Sequence, residues 1–292
     1  MDCPIMTDTP SKNMNQENFP VAALGGKQLR PVISAYYAAA RLADDIADAP
    51  QLPEAEKLVQ LAQTERDFLD GLGQKPFSGG VEEAYRLGSL FAEEKLDASL
   101  YTDLLKAFEK DARNEKIAVW EQLIDYCRLS AAPVGRFILA LHDESPSAYL
   151  PAETLCAVLQ ISNHLQDMRR DAVLLNRCYL PQDLMNKHDV RVSDIYLDKS
   201  SRALKALTAE ITEKLSRMLR DASVLPALVK SKRLKIQIGI ILSLTNSMLQ
   251  KIEKADILTE HVRLNAWDWT KALTVGALKG LARKTGEAGN II

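Results

Sequence analysis

Apolar residues recur with the period of an α-helix along nearly the whole chain, and this pattern limits the fold more than any other feature. Alternating runs of Val, Ile and Thr, which would predict strands, are scarce. The chain has 13 Gly and 12 Pro among 292 residues, below their usual combined share of about 12%. The pattern therefore predicts an all-α helical bundle with a central active-site cavity. Its helices are expected at residues 20–48, 53–70, 80–93, 98–115, 119–142, 151–173, 198–222, 225–254 and 265–284.

The overall composition indicates an ordinary globular protein and argues against several classes of function. Residues 1–16 are expected to form a disordered tail, and residues 17–292 a single domain without an internal linker. The net charge of −2 and the pI of about 6.2 do not favour a nucleic-acid partner. The start of the chain lacks the pattern of a signal peptide, and no apolar run approaches the roughly 18 residues of a membrane span. Four scattered cysteines without a Cys-x-x-Cys pair predict reduced thiols in a cytoplasmic protein.

Two aspartate pairs with the same spacing are the strongest functional signal. Asp44 and Asp48 form one pair, and Asp167 and Asp171 form the other. Each pair places two carboxylates on one helix face, about 6 Å apart, near the expected end of its helix, where the dipole also disfavours negative charge. A single pair of this kind is most often a solvated surface feature, but two matched pairs favour a divalent cation. The oxygen ligands predict Mg²⁺, with Mn²⁺ as the alternative.

The neighbours of these aspartates predict a site for a diphosphate. Metal ions held by two carboxylate pairs would neutralise the phosphate charge and improve the leaving group, and apolar walls would shelter the resulting carbocation from water. Polar residues share the two acidic faces, and basic residues lie near them. The first group is Tyr37, Arg41, Gln160 and Asn163 or His164; the second is Lys27, Arg30, Arg41 and Arg177. Each cation could instead be a surface charge, and Asp111 and Asp125 are interpreted as structural or surface acids.

Four segments in this order resemble the squalene/phytoene synthase family, which has an all-α isoprenoid synthase fold. They are Tyr37–Asp48, Asp125–Gly135, Gln160–Asp171 and Arg177–Pro181. The resemblance implies that the four aspartates bind Mg²⁺ and that Arg41, Arg177 and Tyr179 hold the diphosphate, with Lys27 and Arg30 as further candidates. It also implies a pocket lined by Tyr37, Gln160, Asn163, Val134 and Gly135.

Further segments resemble a bacterial hopanoid-pathway branch of that family, which is assigned as hydroxysqualene synthase. They are Glu17–Ala22, Leu29–Pro31 and Ala132–Gly135. That branch ionises presqualene diphosphate, rearranges the cation and captures water, so no NADPH is expected. The first alternative is head-to-head condensation of two farnesyl diphosphates to presqualene diphosphate, squalene or phytoene. The second is a non-catalytic helical assembly factor.

The C-terminal region carries an amphipathic pattern with basic residues on its polar side. Its residues are Trp267, Trp269, Lys271, Leu273, Leu278, Lys279, Leu281, Arg283 and Lys284. This pattern predicts either a terminal helix packed on the bundle or peripheral contact with an anionic membrane, such as the inner membrane face. The expected partners are therefore a prenyl diphosphate, a membrane surface and neighbouring pathway enzymes.

Overall fold

The computed structural model describes residues 26–276 and 278, with the backbone alone for residues 26 and 27. Within these residues the chain is helical and contains no strand, so the all-α prediction is confirmed. The helices are α1 Gly26–Asp48, α2 Glu54–Leu72, α3 Glu82–Glu94, α4 Ser99–Ala112, α5 Trp120–Ser130, α6 Ala132–Leu141, α7 Tyr149–Leu175, α8 Gln182–Lys187, α9 Arg202–Ala222, α10 Leu225–Leu228, α11 Lys232–Ile252 and α12 Ala266–Lys271. The predicted tail, the segment Glu17–Ala22 and the basic residues from Lys279 onward lie outside the described residues.

Two predicted helices are each divided in the structure. The helix expected at 119–142 breaks at Ala131, and Pro133 then lies in the first turn of α6, where a missing N–H does no harm. The helix expected at 225–254 separates into α10 and α11. Ser231 begins α11, because its side-chain oxygen accepts a hydrogen bond from the N–H of Leu234 at 3.3 Å. The short helix α8 falls where only a break was predicted.

The chain forms two compact units, and the sequence passes from one unit to the other three times. Unit 1 comprises the residues up to Leu141 together with Met168–Asp183, and unit 2 comprises His142–Asp167 and the residues from Leu184 onward. The core of unit 1 is built around five buried aromatic side chains, namely Tyr36, Phe68, Phe91, Tyr101 and Phe137. The rings of Tyr36 and Phe137 stack with their centroids 4.0 Å apart. These rings fix α1 among α2, α3, α4 and α6.

Hydrogen bonds from two buried phenols hold α1 against α4 in unit 1. The Tyr36 hydroxyl donates to the carbonyl of Leu100 at 2.7 Å, and the Tyr101 hydroxyl donates to the carbonyl of Ala39 at 3.1 Å. A buried hydroxyl without a partner would destabilise the core, so these bonds make aromatic packing and helix position interdependent. They set the orientation of α1 about its axis and therefore the direction of its polar face.

Two glycines allow α2 and α3 to approach very closely. A Cβ on Gly71 would lie 2.0 Å from the carbonyl oxygen of Tyr85, and a Cβ on Gly88 would lie 2.0 Å from that of Phe68. Neither position leaves room for a methyl group, because real Cβ atoms do not approach backbone oxygens so closely. The sequence therefore needs glycine on both facing surfaces of this helix pair.

Buried carboxylates organise the connections within unit 2. Glu144 accepts hydrogen bonds from the backbone N–H groups of Lys230 and Ser231, at 2.5 and 2.8 Å, and so fixes the start of α11. Asp268 in α12 forms an ion pair with Lys251 at 2.6 Å. In the described part of the chain, no helix combines the length and apolar character that a membrane span requires.

Candidate active site

Helix α1 has one buried apolar face and one polar face. The apolar face consists of Val32, Ile33, Tyr36, Ala39, Ala43 and Ala47. The polar face carries Tyr37, Arg41, Asp44 and Asp48, all partly exposed, in the arrangement that the sequence predicted. Arg41 is paired with two carboxylates on its own helix: its Nη1 lies 3.0 Å from Asp44 Oδ2, and its Nη2 lies 3.0 Å from Asp45 Oδ1. The predicted diphosphate ligand Arg41 therefore already compensates two acids.

The carboxyl group of Asp44 is strongly perturbed even so. Burial and the charge of Asp48 together raise its pKa to about 8, and Arg41 only partly offsets these two effects. The Asp44 side chain still has 33% of its surface exposed, so the carboxylate is crowded by protein atoms yet accessible. Burial also raises the pKa of Asp45, against the opposing effect of Arg41. Arg41 therefore does not fully offset the effect of burial on these two acids.

This face fits a divalent cation and a phosphate by two observations. Burial and the charge of Asp48 disfavour the charged form of Asp44, a bound cation would favour it, and carboxylate oxygens are ligands that Mg²⁺ prefers. Beside them, Arg41 Nε is buried without a hydrogen-bond partner, which leaves a costly unsatisfied donor in the site. A bound cation would pair with the two aspartates, and an anionic oxygen would accept a hydrogen bond from Arg41 Nε.

The last turn of α1 is held by two cations from other parts of unit 1. Arg177, with 6% of its surface exposed, forms an ion pair through Nη1 with Asp48 Oδ1, and its Nη2 donates to the carbonyl of Ala47 at 2.8 Å. The Nζ of Lys57 donates to the same carbonyl at 2.8 Å. Although burial opposes its charge, nearby Tyr179, Asp111 and Asp48 hold the pKa of Arg177 above its ordinary value. These cations compensate the negative end of α1, which sequence reasoning had treated as uncompensated.

Arg177 reaches this position because α7 ends in a sharp turn. Asn176 has φ of 52°, a left-handed conformation that Asn tolerates better than most residues. The backbone N–H of Arg177 then donates to the carbonyl of Asp171 at 3.1 Å. The side-chain amide of Asn114, in the turn after α4, donates to the carbonyl of Asn176 at 2.9 Å and stabilises this conformation. The end of the second acidic motif is therefore joined to the end of the first through one arginine.

A buried acid lies beside this arginine and holds two phenols. Asp111, 9% exposed, accepts hydrogen bonds from the hydroxyls of Tyr126 at 2.8 Å and Tyr179 at 2.9 Å. The two rings lie 5.4 Å apart. Burial raises the pKa of Asp111 to about 6, although Arg177 and both hydroxyls favour its charged form.

Sequence reasoning missed the role of Asp111 in this cluster and did not include Tyr126 among the site residues. A signal was present, because Asp111 continues the buried register of Leu104 and Ala107 along α4. An acid in an apolar register is rarely a surface residue, since burial without partners is costly.

The second acidic pair lies on α7 with its expected helical spacing. Asp167 and Asp171 are both partly exposed and one turn apart. On the same helix Gln160 and His164 form a side-chain hydrogen bond of 3.2 Å, and Asn163 is partly exposed. Within residues 26–276 and 278, no three His, Cys, Asp or Glu side chains gather as a metal site. Each pair would therefore need oxygens from water or phosphate to complete a coordination shell, as is usual for Mg²⁺.

The remaining predicted residues are less informative. Val134 and Gly135 are partly buried on α6, and Arg30 is exposed on the first turns of α1. Lys27 lies in the first turn of α1, but its side chain lies outside the described residues. Two of the predicted diphosphate ligands, Arg177 and Tyr179, lie near Asp111, and Arg177 also pairs with Asp48. A third, Arg41, pairs instead with acids of its own helix.

Comparisons with known proteins agree on one family. The family model described as squalene/phytoene synthase matches residues 15–268. The hydroxysqualene synthase of Rhodopseudomonas palustris is 36% identical over 254 residues, which are 87% of this chain and 85% of that protein. The hydroxysqualene synthase of Zymomonas mobilis is 34% identical over 268 residues, or 91% and 86% of the two chains. The crystal structure of squalene synthase HpnC from Alicyclobacillus acidocaldarius superposes with a TM-score of 0.71 at 25% identity, covering 80% of this chain and 86% of that one.

Proposed function

Because the chain belongs to the squalene/phytoene synthase family, a family of enzymes, we propose that it converts presqualene diphosphate into hydroxysqualene. The observation that carries this choice within the family is the similarity to two hydroxysqualene synthases over most of the chain. The conversion needs no reductant. The bond between carbon and diphosphate oxygen breaks, diphosphate leaves with the electron pair, and water adds to the rearranged cation with loss of one proton. We therefore propose Mg²⁺, or Mn²⁺ in its place, and no NADPH.

The four aspartates of the two acidic pairs are the proposed metal ligands. Bound Mg²⁺ would neutralise diphosphate and make it a better leaving group. Asp44 and Asp48 on α1, and Asp167 and Asp171 on α7, would supply the carboxylate oxygens. Supporting this role, Asp44 is accessible, and burial and the charge of Asp48 raise its pKa, which a bound cation would lower.

The diphosphate would be held by cations and a phenol. The proposed ligands are Arg41, Arg177, Tyr179, Lys27 and Arg30. Arg41 is the best supported, because its Nε is a buried donor without a partner beside two accessible acids. Tyr37, Gln160, Asn163, Val134 and Gly135 would line the pocket for the hydrocarbon chains. Among these, the aromatic Tyr37 and the apolar Val134 suit this task, because such side chains shelter a carbocation from water.

We also propose a cytoplasmic enzyme that contacts the inner membrane face and neighbouring pathway enzymes. The support is an exposed apolar surface near the end of unit 2, where Trp267 is 73% exposed, Leu273 57% and Leu278 68%. Substrate and product with thirty carbons would also partition into lipid. Sedimentation with anionic and with neutral vesicles tests this contact, and equal, negligible binding to both would contradict it.

Product analysis is the experiment that tests the proposed function. Purified protein with Mg²⁺ would receive presqualene diphosphate or farnesyl diphosphate, each with and without NADPH, and Asp44→Asn would serve as the inactive control. We expect hydroxysqualene from presqualene diphosphate without NADPH. Consumption of farnesyl diphosphate to presqualene diphosphate, squalene or phytoene would instead identify a condensing enzyme.

A thermal shift tests the alternative of a non-catalytic assembly factor. An intact site should raise the melting temperature when Mg²⁺ and pyrophosphate are added together at millimolar concentration. The absence of any shift, with no turnover of either substrate, would favour the assembly factor.

A further inference from the structure

The carbonyl of Ala47 is unusual among helix-terminal groups because two cationic side chains donate to it. Carbonyls in the last turn of a helix have no partner within the helix, and one capping donor or water normally satisfies each. Here the Nζ of Lys57 and the Nη2 of Arg177 both donate, each at 2.8 Å. Ala47 is fully buried, and the next residue is Asp48. The two donors therefore fix the peptide that carries a proposed metal ligand.

The position of Lys57 disfavours the charge that it carries. Lys57 lies in the first turn of α2, where the helix dipole favours acids such as Glu54 and Glu56 and disfavours cations. Burial lowers its pKa, and the charge of Arg177 lowers it further. Neither the stability of α2 nor the charge balance with Arg177 accounts for a lysine here. Its one favourable interaction on the α1 side is with the last turn and with Asp48.

We infer that Lys57 is a positioning residue for the proposed metal site, because it fixes the last turn of α1 and thereby the direction of Asp48. Arg177 orients the Asp48 carboxylate directly, and Lys57 on α2 donates to the preceding backbone carbonyl, that of Ala47. Residues that orient metal ligands commonly change metal affinity when they are removed, without contacting the metal. The inference rests on the proposed function, since it assigns Lys57 to the same Mg²⁺ and diphosphate site.

Three variants separate positioning from simple stabilisation. Lys57→Met keeps most of the side-chain stem and removes the donor, whereas Lys57→Arg keeps a donor and the charge. Lys75→Met is the control, because Lys75 is an exposed lysine of the same unit that pairs with Asp70 of α2 at 2.7 Å and, among the described residues, forms no ion pair with α1. For each protein the Mg²⁺ concentration giving half of the maximal thermal shift would be measured at saturating pyrophosphate. The Mg²⁺ dependence of turnover would be measured in parallel.

We expect Lys57→Met to raise the Mg²⁺ midpoint roughly tenfold in both assays, at the lower end of effects for residues that orient metal ligands, because Arg177 still holds the turn. Turnover at saturating Mg²⁺ should stay within about twofold of wild type. Lys57→Arg should restore most of the affinity, and Lys75→Met should not differ from wild type.

One outcome would overturn the inference, and a second would overturn its premise. An unchanged Mg²⁺ midpoint in Lys57→Met would remove the positioning role, whether or not the melting temperature without Mg²⁺ was lowered. If the wild-type protein itself showed no shift with Mg²⁺ and pyrophosphate, the proposed metal site would fail, and this inference with it.

Discussion

Asparagine in place of Asp44 should make the protein more stable at alkaline pH and leave it unchanged in acid. The pKa of Asp44 is about 8 in the folded chain and about 4 in an unfolded one. Between these values the folded protein holds a proton that the unfolded chain has released, so stability falls as pH rises from about 4 to about 8. An amide does not titrate and cannot repel Asp48, so the variant escapes this loss.

The size of the effect follows from the burial and exposure of the side chain. A displacement of the pKa from 3.8 to about 8 would correspond to roughly 6 kcal/mol for a fully desolvated acid. Because 33% of the side chain is exposed and Arg41 lies 3.0 Å away, screening should leave about 1 to 2 kcal/mol. For a chain of this size that is a gain of about 2 to 6 °C in melting temperature at pH 8.5.

Melting curves at pH 5, 6.5 and 8.5, in the presence of a chelator, measure this prediction. Asp125→Asn is a suitable control, because Asp125 is an exposed acid paired with Arg128 in the same unit. We expect the difference between Asp44→Asn and wild type to be smallest at pH 5 and to grow with pH. Parallel curves for the two proteins across this range would show that Asp44 is charged throughout, and the reasoning would be refuted.

Further expectations concern the ligand, the chemistry and the core. The thermal shift by Mg²⁺ with pyrophosphate should be larger at pH 8.5 than at pH 6.5, because binding must release the proton of Asp44; a pH-independent shift would contradict this. Asp44→Asn and Asp167→Asn should each lower turnover at least about a hundredfold while retaining the wild-type circular dichroism, and near-normal turnover would exclude that motif from metal binding. Asp111→Asn should lower stability by about 1 to 3 kcal/mol, measured by urea unfolding, since the two phenols donate to different carboxylate oxygens and the amide nitrogen that replaces one of them cannot accept. Gly88→Ala should lower the free energy of unfolding by more than about 3 kcal/mol, or prevent folding, because its Cβ would lie 2.0 Å from a backbone oxygen. Gly73→Ala is the control: its Cβ would lie 3.3 Å from the nearest atom, so its effect in the same measurement should be smaller.

The parts of the site that sequence reasoning recovered are those fixed by a single helix. Asp44 and Arg41 share a face because residues three or four apart on a helix always do, and the same holds for Asp167 and Asp171. The buried apolar face of α1 could be predicted in the same way, because buried positions recur with the same helical period.

The missing parts are contacts between residues far apart in the chain. Arg177 meets Asp48 across 129 positions, and Tyr179 meets Asp111 across 68. No local pattern encodes such pairs; they depend on how helices pack and on the left-handed turn at Asn176. The breaks within two long predicted helices had local causes in Pro133 and in the capping residue Ser231, but periodic apolar residues on both sides concealed them.

The turn at Asn176 has a consequence for how the two acidic motifs respond to change. The backbone N–H of Arg177 donates to the carbonyl of Asp171, and its side chain forms an ion pair with Asp48. A single residue therefore contacts both motifs. Substitutions in one motif should then alter the energetic effect of substitutions in the other, as neighbours in one network do. In a double-mutant cycle, the effects of substituting Asp48 and Asp171 on the free energy of unfolding should therefore be non-additive. A ligand bound at one aspartate pair should change the ligand affinity of the other pair, and the reciprocal effect should have the same factor.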